Sequence, residues 1–355
     1  MARRLLLGLA IGLVLTSVGC ATTPYEIRDD LEGSLTLRLA DGEPQIERGR
    51  PNAWLDGFGH YFFSLPSKLL LLRWRMNNHD VSPEVERRLE QYLVTNGLCN
   101  TKGRVNQYAP GAEFKRLFRN KEMPAGWRYT LGLASVAFYT IFPDRLFAGF
   151  PLIGGGDSFN PFTNTIHIYS DLPEVALHEG GHAKDLAEIG NRHLKGLYSG
   201  VRAVPLLGLP LTLWQEAEAS SEALSWALAT GDAGDSRAAY RTLYPAYGTY
   251  LGGTVFTATS LFRVDAWILY AAQFGTIVAG HVAGQTRALF ESDRDQGLEP
   301  GLTRSWTAPP PDGMLAAAMS FDAPPVNRCR PAPRSASELP PLRLEPETTE
   351  PGADP

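Results

Sequence analysis

Cysteine is scarce in this 355-residue chain, which has only Cys20, Cys99 and Cys329. Three cysteines form at most one pair, so a fold stapled by several disulfides is excluded. In an oxidising compartment Cys99 and Cys329 would pair and pin the C-terminal tail to the body, the alternative being two free buried thiols. A basic block is lacking as well. The 33 Lys and Arg stand against 38 Asp and Glu, for a net charge of -5, and nucleic acid is therefore excluded as the expected partner. No internal repeat is evident. Gly154-Gly155-Gly156 is followed by no Lys-Ser/Thr, so it is a flexible loop and not a phosphate loop. A strongly apolar span is missing too. Ala266 to Thr286 carries no formal charge over 21 residues but holds three glycines, Gln273 and His281. It is long enough to cross a bilayer and only mildly apolar, so it reads as a buried or membrane-facing helix, with a true span as the alternative.

What is present begins with a leader. Arg3 and Arg4 precede an apolar stretch, Leu5 to Val18, and then Ser17-Val18-Gly19-Cys20. This is the pattern of a secretory signal. The small residues before Cys20 resemble a bacterial lipobox, with Ser17 where Leu is usual, and the resemblance implies that Cys20 carries lipid at the mature N-terminus. Ala21 follows in place of the Asp of an inner-membrane retention signal, which favours the outer membrane facing the periplasm. The other end is a different material: twelve of the 27 prolines follow Ala308, and Arg330 to Pro355 is rich in Pro, Glu, Ser and Thr. Such a segment buries too little apolar surface to offset its chain entropy and is expected to be disordered. The organisation expected is a signal over 1–20, a loose entry segment over 21–60, one helical domain over 61–305 and a tail over 306–355.

Within the domain, Ser82-Pro83 predicts a helix start, with Ser82 as N-cap and Gly97 as the stop. A shorter helix is expected around Glu113 to Arg119 and a buried one over Tyr129 to Phe142. Asn164 to Tyr169 alternates β-branched and aromatic residues and predicts a strand. Asp171 and Glu174 then have capping-box spacing for a helix ending near Gly190. A further helix is expected over Leu211 to Leu228.

The central motif is His178-Glu179-Gly180-Gly181-His182, an HExxH sequence. Residues four apart on a helix share a face, so both imidazoles point at one metal ion, and Glu179 falls beside the water it would deprotonate. Two adjacent glycines inside a helix cost about 1 kcal/mol each relative to alanine. A helix that must let substrate or a neighbouring backbone come close has reason to carry them. Catalytic zinc takes three protein ligands and leaves one position open. The place for a metzincin-type third histidine is occupied by Glu188, and His193 lies too far along. Glu216 or Glu218, on the downstream helix, remain, the second in a frame that has Glu222 four residues later.

At Gln215-Glu216-Ala217-Glu218-Ala219-Ser220 the chain resembles the gluzincins, and among them the small membrane-associated zinc peptidases related to CAAX-prenyl proteases. The resemblance covers about residues 160–228. It implies a mostly helical α+β fold with a zincin-like core and a short edge strand before the HExxH helix. That strand is expected at Asn164 to Tyr169, where a peptide substrate would pair. It implies Zn²⁺ held by His178, His182 and Glu216, with Glu179 as general base. Ser220 replaces the Asp that orients a ligand histidine in the family. Asp185 could serve as a supporting group or lie on the surface, and His281 is a candidate for stabilising the transition state. The function expected is a lipid-anchored zinc metallopeptidase of the cell envelope. The alternative is a non-catalytic envelope lipoprotein with a structural or vestigial metal site.

Overall fold

Asn52 opens the first helix in a computed structural model that describes residues 39, 43–142, 156–201, 208–230, 233–260 and 265–297. Its side-chain oxygen accepts the N–H groups of Trp54 and Leu55, satisfying donors that have no partner within the helix. The signal with Cys20, Gly154 and Gly155, Cys329 and the 306–355 tail lie outside the described residues. Residues 43–60 are not the loose entry segment expected. They form β1 (Ile46–Arg48), α1 (Ala53–Phe58) and the start of a π-helical turn, Gly59–Phe63, that runs into α2 (Leu65–Leu71). α1 has no buried residue, so its apolar side chains form an outward stripe and not a core-facing one.

Ser82-Pro83 does start a helix, α3 (Pro83–Thr95), although the Ser82 side chain makes no capping bond. The stop is a full Schellman turn. Gly97 takes φ 65° and donates to Val94 O, while Leu98 donates to Leu93 O. The chain continues into β2 (Lys102–Val105) and α4 (Pro110–Arg119). The expected helix over Tyr129 to Phe142 is a π-helical turn, Arg128–Gly132, followed by α5 (Leu133–Ile141). It is not buried throughout: Phe138 and Ile141 are exposed, and only Val136 and Tyr139 of α5 are sealed.

β3 (Ser158–Asn160) and β4 (Thr165–Ile168) complete a mixed four-stranded sheet in the order β1-β2-β4-β3. β4 pairs parallel with β2 and antiparallel with β3. This corrects the expectation of an edge strand at Asn164 to Tyr169. Both sides of β4 are already paired, and all four of its residues are buried, as a central strand requires. The short edge strand ahead of the HExxH helix is β3.

The remaining elements are helical: α6 (Pro173–Glu188), α7 (Arg192–Val201), α8 (Gly208–Ala229), α9 (Ala233–Ser260) and α10 (Ala266–Gly297). Asp171 does not cap α6, whose N-cap is Leu172. The Asp171 carboxylate instead accepts from Ser82 N and from the Arg75 guanidinium, tying the starts of α3 and α6 together. One apolar core joins the sheet (Val105, Ile166, Ile168) to α3 (Leu89, Tyr92, Leu93), α6 and α8 (Trp226). The fold is thus α+β and mostly helical. The last two helices run against each other through glycine. A Cβ on Gly280 or Gly284 would fall 2.6 Å from Tyr244 O or 2.4 Å from Tyr240 O, and one on Gly248 would fall 2.5 Å from Thr276 O. Among the described residues no helix is long and apolar enough to cross a membrane, the Ala266 to Thr286 stretch included. Cys99 is disulfide-bonded.

Candidate metal centre

Two helices make the site. α6 presents His178 and His182 on one face, with the ring centroids 4.8 Å apart. α8 presents Glu216, Ala219, Ser220 and Ala223 on its inner face, all buried, while Glu218 points to solvent. The choice the sequence left open is thereby narrowed. Glu216 Oε2 lies 3.1 Å from His178 Nε2 and 3.5 Å from His182 Nε2, and one ligand atom from each of the three lies within 4.8 Å of the others. Glu222, the partner in the competing frame, is held elsewhere: its Oε1 accepts from Tyr92 OH at 2.9 Å and Lys184 Nζ at 2.6 Å.

The glycines permit this approach. A Cβ on Gly181 would sit 3.0 Å from both Cα and O of Ala219, so α6 meets α8 backbone to backbone beside His182 and three residues from Glu216. A Cβ on Gly180 would strike the ring of Tyr92 at 2.7 Å. Gly181 therefore sets the distance between the ligand helices, and Gly180 makes room for a ring of α3. Tyr92 was invisible in the sequence, more than eighty positions before the motif. Its ring also meets Trp226 edge to face, with centroids 5.2 Å apart.

Burial by itself would push the Glu216 carboxyl up. The charge of His182 and hydrogen bonds from both imidazoles outweigh it and hold the group well below the usual carboxylate range. A carboxylate this deeply buried, only 1 % exposed, needs partners, and the two imidazoles supply them. Metal–ligand bonds of about 2.0–2.1 Å at tetrahedral angles separate neighbouring donor atoms by roughly 3.3 Å; the two Glu216–imidazole separations bracket that value, and all three donor atoms lie within 4.8 Å of one another. Without metal, the same separations serve N–H···O hydrogen bonds. Either way the three groups could hold a metal ion, and these distances do not choose among metals.

Ser220 is not simply a lost carboxylate. Its Oγ lies 3.2 Å from His178 Nδ1. With a metal on Nε2, Nδ1–H would donate to this hydroxyl, which would fix the tautomer and the ring orientation. The signal was present in the sequence, since a residue four after Glu216 must share its face. Asp185 is not a surface residue. It is half-buried and accepts from Tyr198 OH. Burial, reinforced by the charges of Glu188, Glu218 and Glu222, pushes its carboxyl up to about 7. His281 is engaged elsewhere, with Nε2 hydrogen-bonded to Leu70 O at 2.8 Å, and His193 is exposed on α7. Glu179 is buried beside His178. Comparison with models of protein families, with curated proteins and with solved structures gives no match to this chain.

Proposed function

We propose that the protein is a zinc metallopeptidase of the gluzincin type, with a zincin-like core, anchored in the cell envelope by lipid on Cys20. One observation carries the reading: His178, His182 and Glu216 converge at ligand spacing on two helices, with Glu179 next in sequence to the first ligand. Bound there, zinc supplies a Lewis acid that acidifies water and polarises a carbonyl. Glu179 takes the proton of the attacking water and passes it to the leaving amine. Ser220 keeps the His178 ring in place throughout. The substrate is a peptide, and β3 is the strand it would extend, because β3 stands last in the sheet order among the described residues and packs against α6.

A second reading, a structural or vestigial metal clamp, draws on the burial of the centre. His178, Glu179 and His182 are each only 7–8 % exposed. The test is zinc content and peptide hydrolysis in wild type, Glu179→Gln, Glu216→Ala and Glu218→Ala. One equivalent of zinc, lost in Glu216→Ala and kept in Glu218→Ala, with hydrolysis lost in Glu179→Gln while zinc stays, supports the enzyme. Zinc without hydrolysis of any peptide favours the clamp. No zinc in the wild type after reconstitution removes both.

A further inference from the structure

Two helical stripes of large apolar side chains face outward. On the first, Trp54, Phe58, Tyr61, Leu65 and Leu69 recur at helical spacing along α1, the π-helical turn and α2, and all five are exposed, Trp54 by 76 %. On the second, Trp267, Tyr270, Phe274, Val278 and Val282 do the same along α10, with Trp267 71 % exposed. The two helices meet at one end: the His281–Leu70 hydrogen bond joins α10 to α2, and Val282 and Leu69 are each next in sequence to a bonded residue. Each stripe runs about 22 Å at the helical rise of about 1.5 Å per residue. Ten such side chains leave on the order of 1,000 Å² of apolar surface outside, beyond the few hundred Å² that a monomer ordinarily exposes in one patch.

We infer that this two-helix face lies on a phospholipid bilayer, in the interfacial zone and parallel to its surface. The chemistry of the face fits that occupant. It mixes Trp, Tyr and Phe with aliphatic residues, as side chains at the headgroup boundary do. It is almost free of charge: α10 has none from Ala266 to Thr286, and between Pro51 and Leu72 only Asp56 and the buried Lys68 are charged. No described helix crosses a membrane, so the face lies on the bilayer and not through it. The N-terminal chain points to the same occupant. Cys20 precedes Trp54 by 34 positions, which an extended chain spans in at most about 120 Å. A lipid there keeps the face within reach of the membrane that holds the anchor, and a second contact strengthens attachment without any change in the first. In this the inference rests on the lipid-anchored reading above.

The experiment uses the full chain reconstituted on vesicles of phosphatidylethanolamine and phosphatidylglycerol that contain phospholipid brominated on its acyl chains. Tryptophan emission is read in wild type and in Trp54→Phe/Trp267→Phe. Lipid on Cys20 is read separately by mass spectrometry, and circular dichroism checks the fold. Bromine should quench the wild type, and most of the quenched component should vanish in the double variant. Equal quenching in both proteins, with Cys20 lipidated, overturns the inference and leaves the anchor standing. Quenching confined to the wild type with Cys20 unmodified upholds the face and removes the anchor. Phe274→Cys crosslinking between copies, without quenching, assigns the face to a second copy and overturns the inference.

Discussion

Gly181→Ala tests whether the close approach of α6 and α8 makes the metal site. The added Cβ would lie 3.0 Å from Cα and O of Ala219 and 3.3 Å from Cβ of Glu222. Carbon contacts settle near 3.5–4.0 Å, so the helices must part by roughly half an ångström at that point. Two of the atoms met are backbone and cannot rotate away. Alanine contributes about 1 kcal/mol of helix propensity over glycine, while overpacking costs about 1–3 kcal/mol, so the variant should lose about 0–2 kcal/mol. The effect on metal should be larger in proportion, because ligand distances must hold to about 0.2 Å and Glu216 moves with α8. Zinc affinity, measured by competition with a chromophoric chelator, should fall about 10–100-fold, the range seen when the support of a ligand is removed. Gly180→Ala is the control. It gains the same propensity and meets the Tyr92 ring at 2.7 Å, so it should lower the melting temperature at least as much and leave zinc affinity within about threefold, an expectation drawn from its contact with α3 and not α8. A Gly181→Ala protein that melts higher and binds zinc undiminished would refute the reasoning. So would equal losses of affinity in the two variants.

Ser220→Ala removes the acceptor for His178 Nδ1 and should lower zinc affinity about tenfold. Ser220→Asp should recover it, and no change in either variant would show that the ring is held without this contact. Asp185 should give stability a pH dependence of known sign. Its carboxyl is pushed from an ordinary 3.8 up to about 7 by burial and neighbouring carboxylates, so the folded state holds the proton longer. That contribution is fully present below about 3.9 and is lost as pH rises through about 7. The melting temperature should therefore fall between about pH 4 and pH 7 and level off above, and Asp185→Asn should flatten that part of the slope; an unchanged slope sinks the assignment. Peptide mapping without reductant should recover Cys99 joined to Cys329, and Cys99 joined to Cys20 would instead contradict lipidation.

The sequence made the ligand helices legible because their information is local. Four-residue spacing puts His178 over His182, and the same rule puts Ser220 over Glu216. Seeing that Ser220 reaches a histidine needed the fold, since a hydroxyl in place of a carboxylate looks like a loss until the partner is placed. The pairing of β4 was not legible for a related reason. Alternation and β-branching mark Asn164 to Tyr169 as a strand without saying how many neighbours it has, and β1, β2 and β3 are too short, at three or four residues, to announce themselves. Asp171 had capping-box spacing, but Pro173 can begin a helix on its own, which freed the carboxylate for Ser82 and Arg75 across 89 and 96 positions. Long-range partners of this kind leave no periodic trace. The α1–α2 stripe does leave one, but its apolar residues face outward, against the usual rule that such a stripe faces the core.

The glycine contacts between α9 and α10 fix how two long helices can slide. At Gly248, Gly280 and Gly284 each helix rests on the carbonyls of the other. A slip of one turn, about 5.4 Å, would carry a side-chain-bearing position onto at least one of those carbonyls. The hairpin therefore has a single register, set by absent atoms in the way a notch sets a bolt.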